Sequence, residues 1–302
     1  MPNPPWQRLT RDQLVTIIGG YYKFLTTFYI HSSSLKYPPP GGWPNITPET
    51  TSDFGKSPIV VDLLKHLPYI DGKESGNMVT HIHYKCDVVD YSVVKPDQWG
   101  QEDFQFGASS IVESIEEMKK DGSDEDEDDD EGYFWYRDES RDKDVDGEEN
   151  WWDGDDPEDV KVENIVVLAD GYESGGRCLV LDVFKGNIHE DMLQYNLLSE
   201  VSVEQFFENL KTKFEGLEMV PVPGQKMYEG NIYGDVQGVP EVDVFDESLV
   251  EGDPAQQYKK IYRSFGWPGE TYRKEEALAA IRAHSERRHE AEDAWKKEQE
   301  SS

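Results

Sequence analysis

The residues that invite a chemical reading first are those of the segment Asp142-Lys143-Asp144-Val145-Asp146-Gly147-Glu148-Glu149-Asn150-Trp151-Trp152-Asp153. Oxygen-bearing side chains at Asp142, Asp144, Asp146, Asn150 and Asp153 stand at loop positions one, three, five, nine and twelve, with Gly147 at six. That is the spacing with which an EF-hand loop surrounds calcium, because a hard cation needs many converging oxygens and the glycine allows the sharp turn. The aliphatic residue such a loop carries at position eight is replaced by Glu149, and Asp153 is short for bidentate reach. No helix start follows in Gly154-Asp155-Asp156-Pro157. Diffuse association of cations with an acidic segment is the favoured reading over a specific calcium site.

A second set is His81, His83 and Cys86. If residues 78–94 are extended, alternate positions share a face and two imidazoles could hold a transition metal. No fourth ligand is evident, so histidines on a strand surface are the simpler expectation. Glu173-Ser174-Gly175-Gly176-Arg177 has the glycines of a phosphate loop but lacks its Gly-Lys-Ser/Thr ending and joins two strands, so a hairpin turn is expected. Ser174 has no nucleophile-elbow setting, and no nucleophile, base and oxyanion donors assemble. No cofactor is expected, and the chain reads as a binding protein rather than an enzyme.

The elements that must position these residues follow from periodicity. Leu14, Ile17, Ile18, Tyr21, Tyr22, Leu25 and Phe28 recur at helical spacing, with Thr10 or Asp12 as N-cap and Gly19-Gly20 marking a close approach or a break. A loop at Tyr37–Pro44 leads to a second helix from Ser57-Pro58 to Leu67. Residues 78–94 read as one or two strands, and Ser109–Lys119 as a short helix with Ile111, Val112, Ile115 and Met118 along one face. Strands are expected at Val160–Leu168 and Arg177–Phe184, and a helix capped by Ser202 runs to Leu217. A helix at Pro254–Phe265, with Tyr258, Ile261, Tyr262 and Phe265 inward, precedes a last one from Glu270 to about Gln299, rich in alternating charge.

Composition bounds what such a chain binds. Its 302 residues carry 63 acidic against 30 basic side chains, a formal net of −33, with 36% hydrophobic residues for a core. Such a charge repels phosphate backbones and anionic lipid, so neither nucleic acid nor membrane is an expected partner, whereas a protein partner with a basic surface is. Two cysteines make no disulfide framework and suit a cytoplasmic or nuclear location. Residues 121–159 are an acidic low-complexity insert, expected to stay disordered, although Tyr133–Tyr136 and Trp151-Trp152 are unusual in a solvating tract.

The segment Val166-Val167-Leu168-Ala169-Asp170-Gly171 through Leu181-Asp182-Val183, followed by Val203-Glu204-Gln205-Phe206-Phe207-Glu208-Asn209-Leu210, resembles the SMI1/KNR4-like (SUKH) superfamily over about residues 164–217. The whole chain looks like filamentous-fungal proteins that share a Leu63–Ile70 type of segment and a Glu-Ser-Gly-Gly-Arg turn. The resemblance implies a non-catalytic α+β interaction module in fungal cell-wall or stress signalling. The alternative is an accessory protein or enzyme acting on a small molecule in a biosynthetic gene cluster. The expected architecture is a mixed or antiparallel sheet with flanking helices. Its halves are residues 1–120 and 160–224, interrupted by the insert and followed at 225–302 by a linker and helical C-terminal extension. Tyr172, Glu173, Arg177 and Asp182 are the expected partner-binding residues.

Overall fold

The computed structural model describes residues 8–71, 80–101, 160–192, 196–197, 200–222, 227–229 and 254–300. Among them the fold is α+β, with an antiparallel sheet and flanking helices. The expected helix at 109–119, the acidic insert and the calcium-loop residues Asp142, Asp144, Asp146, Asn150 and Asp153 lie outside the described residues.

Helix α1 (Arg11–Phe28) starts in a capping box: the Thr10 hydroxyl accepts from the Gln13 backbone N–H, and the Gln13 side chain accepts from the Thr10 backbone N–H. Its buried face is Leu14, Ile18, Tyr21, Tyr22, Leu25 and Phe28. Gly19 marks a close approach, since a Cβ there would lie 3.1 Å from Pro68 Cγ. Strands β1 (Leu35–Lys36) and β2 (Tyr69–Ile70) pair antiparallel around α2 (Pro58–His66), which has proline in its first turn.

The main sheet is a meander of β3 (Cys86–Val88), β4 (Ile165–Gly171), β5 (Arg177–Asp182), β6 (Asn187–Met192) and β7 (Asn196–Leu197). Strand β8 (Val201–Ser202) also pairs with β6. A register shift between Val167 and Ala169 kinks β4 against β5. Alternation then sends Leu179 and Leu181, with Val166 and Ile188, into the large core, and Ile165, Val167, Cys178 and Val180 to the opposite face.

Helix α3 (Val203–Gly216), capped by the Ser202 hydroxyl, packs on α1, where Phe207 stacks on Tyr21 at 4.6 Å. Strands β9 (Met219–Val220) and β10 (Tyr228–Glu229) form a small ribbon. Helices α4 (Pro254–Ser264) and α5 (Lys274–Glu300) are part of the same core. Trp267, between them, stacks on Phe28 at 3.7 Å and 8°, and Tyr262 lies 4.8 Å from the same ring. Lys274 Nζ donates to the carbonyls of Thr26 and Ile30, the cationic group that the last turn of α1 lacks.

The region 78–94 departs from expectation: among its described residues, 80–94, the strand is only Cys86–Val88, preceded by an isolated bridge between His83 and Cys86. Tyr21 and Tyr29 donate their hydroxyls to the carbonyls of Ile82 and His81, so the backbone there bends to meet α1 instead of extending. Strand β4 begins at Ile165, after a 3-10 turn at Val162–Asn164, and β6 is a further strand that the periodicity did not reveal.

Candidate functional site

Two chain reversals meet at one end of the sheet. Residues 83–86 lead into β3, and residues 172–176 join β4 to β5. They are stitched by backbone bonds, Tyr172 N–H to Lys85 O at 3.1 Å and Arg177 N–H to Tyr84 O at 3.2 Å. Each reversal holds a non-glycine residue in the left-handed region, Lys85 at φ 47° and Glu173 at φ 58°. Such conformations are disfavoured for side chains other than asparagine or aspartate and persist where the surroundings fix them. Here the two strained residues fix each other. Lys85 Nζ lies 3.2 Å from Glu173 Oε2 and donates to Ser174 O at 3.0 Å. Gly176 closes the turn, because a Cβ at that position would sit 2.5 Å from Tyr172 O.

Beneath the turns lies a buried ion cluster. Arg177, 5% exposed, places Nε 3.1 Å from Glu190 Oε1, and His83 places Nε2 3.2 Å from the same oxygen. His83 Nδ1 accepts the Tyr84 backbone N–H at 2.6 Å, so the ring proton is on Nε2 and points at the carboxylate. Burial pushes the Glu190 carboxyl up, but His83, Arg177 and Lys213 outweigh it and hold it below the ordinary glutamate value.

Above this cluster runs a second line of polar groups. The Asp87 carboxylate takes a bond from Thr80 Oγ at 3.2 Å and from His81 Nδ1 at 2.8 Å, and the Tyr172 hydroxyl reaches His81 Nε2 at 2.8 Å. Carboxylate, imidazole and hydroxyl in sequence is the order by which a base activates a nucleophile. The phenol is tuned the other way. Burial, with the negative charges of Asp87 and Glu173, raises the Tyr172 pKa, so the hydroxyl stays protonated and serves as a hydrogen-bond donor.

Of the residues expected from sequence, Tyr172, Glu173 and Arg177 come together here. Tyr172 is exposed and Glu173 projects into solvent, whereas Arg177 is a buried anchor below them. Asp182 stands at the other end of β5 on the opposite face, fully buried. Arg177 and Asp182 therefore do not share one surface. His81 and His83 are buried rather than on a strand surface, and each serves a different carboxylate; the Cys86 thiol is buried, which raises its pKa. Among the described residues no group of three or more histidine, cysteine or acidic side chains could hold a metal ion. The residues that sequence reasoning missed are Asp87 and Glu190, partners supplied by strand register.

No family model matches this chain, and neither does any curated protein or solved structure. The chemistry of the paired turns therefore rests on their geometry. A mainly apolar groove of about 350 Å³ lies elsewhere, between α1 at Val15, Gly19 and Lys23 and the residues Tyr37, His66 and Pro68. Among the described residues no helix is long and apolar enough to cross a membrane.

Proposed function

We propose that the chain is a non-catalytic protein-interaction module of the SMI1/KNR4-like type, which engages its partner through the paired turns. The observation that carries this reading is the mutual clamp of Lys85 and Glu173, two left-handed non-glycine residues on adjacent reversals. A clamped turn presents Tyr172 and the Glu173 carboxylate at little ordering cost, which is what a recognition surface needs. The net charge of −33 favours a basic partner surface and speeds its encounter at low salt. With this reading go a cytoplasmic or nuclear location and a regulatory role such as fungal cell-wall or stress signalling.

Capture from cells that express the protein tests it, comparing the unchanged chain with a Tyr172→Ala/Glu173→Lys variant of equal circular dichroism and melting temperature. Basic proteins retained by the first and lost by the second, with retention falling as salt rises, support the reading. Identical sets from both chains overturn it.

The second reading, an accessory protein or enzyme handling a small molecule, is favoured by the groove beside Gly19, whose volume is at the lower end of ligand pockets. Ligand-induced stabilisation by a small-molecule panel, abolished by Gly19→Leu, would support it over the first.

A further inference from the structure

The sheet face turned away from the helices is built as an interior, yet the described residues barely cover it. Ile165, Val167, Cys178 and Val180 form an apolar stripe across β4 and β5, none of them more than 4% exposed, and only the partly buried Val89 and Val160 among the described apolar residues pack on it. Helices α1 and α3 lie on the other face, against Val166, Leu179, Leu181 and Ile188.

We propose that this stripe is the docking surface of the chain's own residues 109–120, whose apolar row Ile111, Val112, Ile115 and Met118 lies on it as a third layer. Where the chain leaves and returns supports that occupant. It departs after Trp99, which stacks on Tyr91, and the Tyr91 hydroxyl donates to the carbonyl of Val167 within the stripe at 2.7 Å. It returns at Val160, which packs on the stripe itself. The described residues on either side of 230–253, by contrast, belong to the large core: Met227, Tyr228 and Tyr258 are part of it or pack on it.

Size and charge agree with the match. From Ile111 to Met118 a helix rises about 10 Å, enough to cross a stripe two strands wide and three residues long. Asp170 and Asp191 flank the Cys178 end of the stripe. The row ends in Lys119-Lys120, which would meet them with opposite charge. The acidic run 121–159 would then be tied to the sheet at both ends. This inference stands apart from the reading of the paired turns and survives its failure.

The two cysteines make the test internal to the native full-length chain, since Cys178 lies under the row and Cys86 in the large core. With a maleimide at neutral pH, both thiols of the unchanged chain are expected to be protected. In an Ile111→Asp/Ile115→Asp variant Cys178 should label at least about tenfold faster while Cys86 stays protected. Removing residues 123–150 should leave both protected. A Cys178 that labels like a free thiol in the unchanged chain, or stays protected in the Asp variant, overturns the proposal. Should the Asp variant unfold and expose both thiols, single Ile111→Cys, Val112→Cys, Ile115→Cys and Met118→Cys variants decide. Under mild oxidation at least one should form an intrachain disulfide with Cys178. Disulfides only between molecules would assign the face to a second copy, and none at all would also overturn the proposal.

Discussion

Strand β5 buries one charged residue at each end, and the two ends are built in opposite ways. At the first, Arg177 meets Glu190, which also takes the His83 ring, so charge is answered by charge. At the second, Asp182 Oδ1 accepts the N–H groups of Phe184 and Lys185 at 2.8 and 2.9 Å, which closes the turn into β6. Its Oδ2, and Nε2 of His189 on the neighbouring strand, are buried without a hydrogen-bond partner among the described residues. Glu200 lies 3.9 Å from that nitrogen and is itself held by Asn187. Burial alone therefore says little about use. The compensated end holds the exposed residues above it rigidly, whereas the uncompensated end spends its polar atoms on shaping a turn.

The largest expected effect comes from breaking the compensated end. Glu190→Ala leaves Arg177 and His83 buried without their carboxylate and should cost about 3–5 kcal/mol in denaturant unfolding. Because the Glu190 carboxyl is held below its ordinary value, its contribution is present above the unfolded glutamate pKa of about 4.3 and is lost as pH falls through the lower folded value. Glu190→Gln should abolish that acid-side slope.

Next comes Asp182→Ala, which strands two turn N–H groups and should cost about 1–3 kcal/mol. Asp182→Asn keeps an acceptor, removes the buried charge and should be close to neutral at pH 7. Burial raises the Asp182 pKa, so the sign is opposite to that of Glu190. Its contribution is fully present below about 3.9 and is lost as pH rises through the folded value. If the two variants shift the stability–pH curve in the same direction, the contrast between the ends is wrong.

A smaller effect is expected at His189, whose pKa burial lowers. Its stabilisation is present above the unfolded value of about 6.5 and is lost as pH falls from there through the folded value. His189→Gln should flatten unfolding curves in that window. The smallest change is Glu173→Gly, in which relief of the left-handed backbone, about 1 kcal/mol, is offset by loss of a half-exposed ion pair worth up to about 1 kcal/mol. Its melting temperature should hardly move, while partner capture through the turn should fall.

Much of the fold was legible because local signals agreed with it. The Thr10 and Ser202 caps, the apolar faces of α1 and α3, and the β4–β5 hairpin are where periodicity and turn chemistry put them. Strand β6 was not, since Asn187-Ile188-His189-Glu190-Asp191-Met192 has polar residues on both faces and is a strand because β5 pairs with it. Around His81 the β-like alternation was overruled by the tyrosines of α1, which bend the backbone. One error was avoidable. Arg177 and Asp182 are five apart on one strand, so period two alone puts them on opposite faces. Glu190 as the partner of Arg177 needs the register of β6, which the turn at residues 183–186 sets.

The seating of Trp267 on Phe28, and of Lys274 on the last carbonyls of α1, has a consequence for biosynthesis. Helix α1 is completed by residues made much later, 248 positions on in the case of Lys274 and Thr26. At ordinary translation rates that separation is roughly 12–50 s, during which Leu25, Phe28 and Tyr29 wait for part of their packing. The nascent chain thus carries an unfinished aromatic surface while those 248 residues are made. Its surplus of negative charge keeps neighbouring nascent chains apart in that interval.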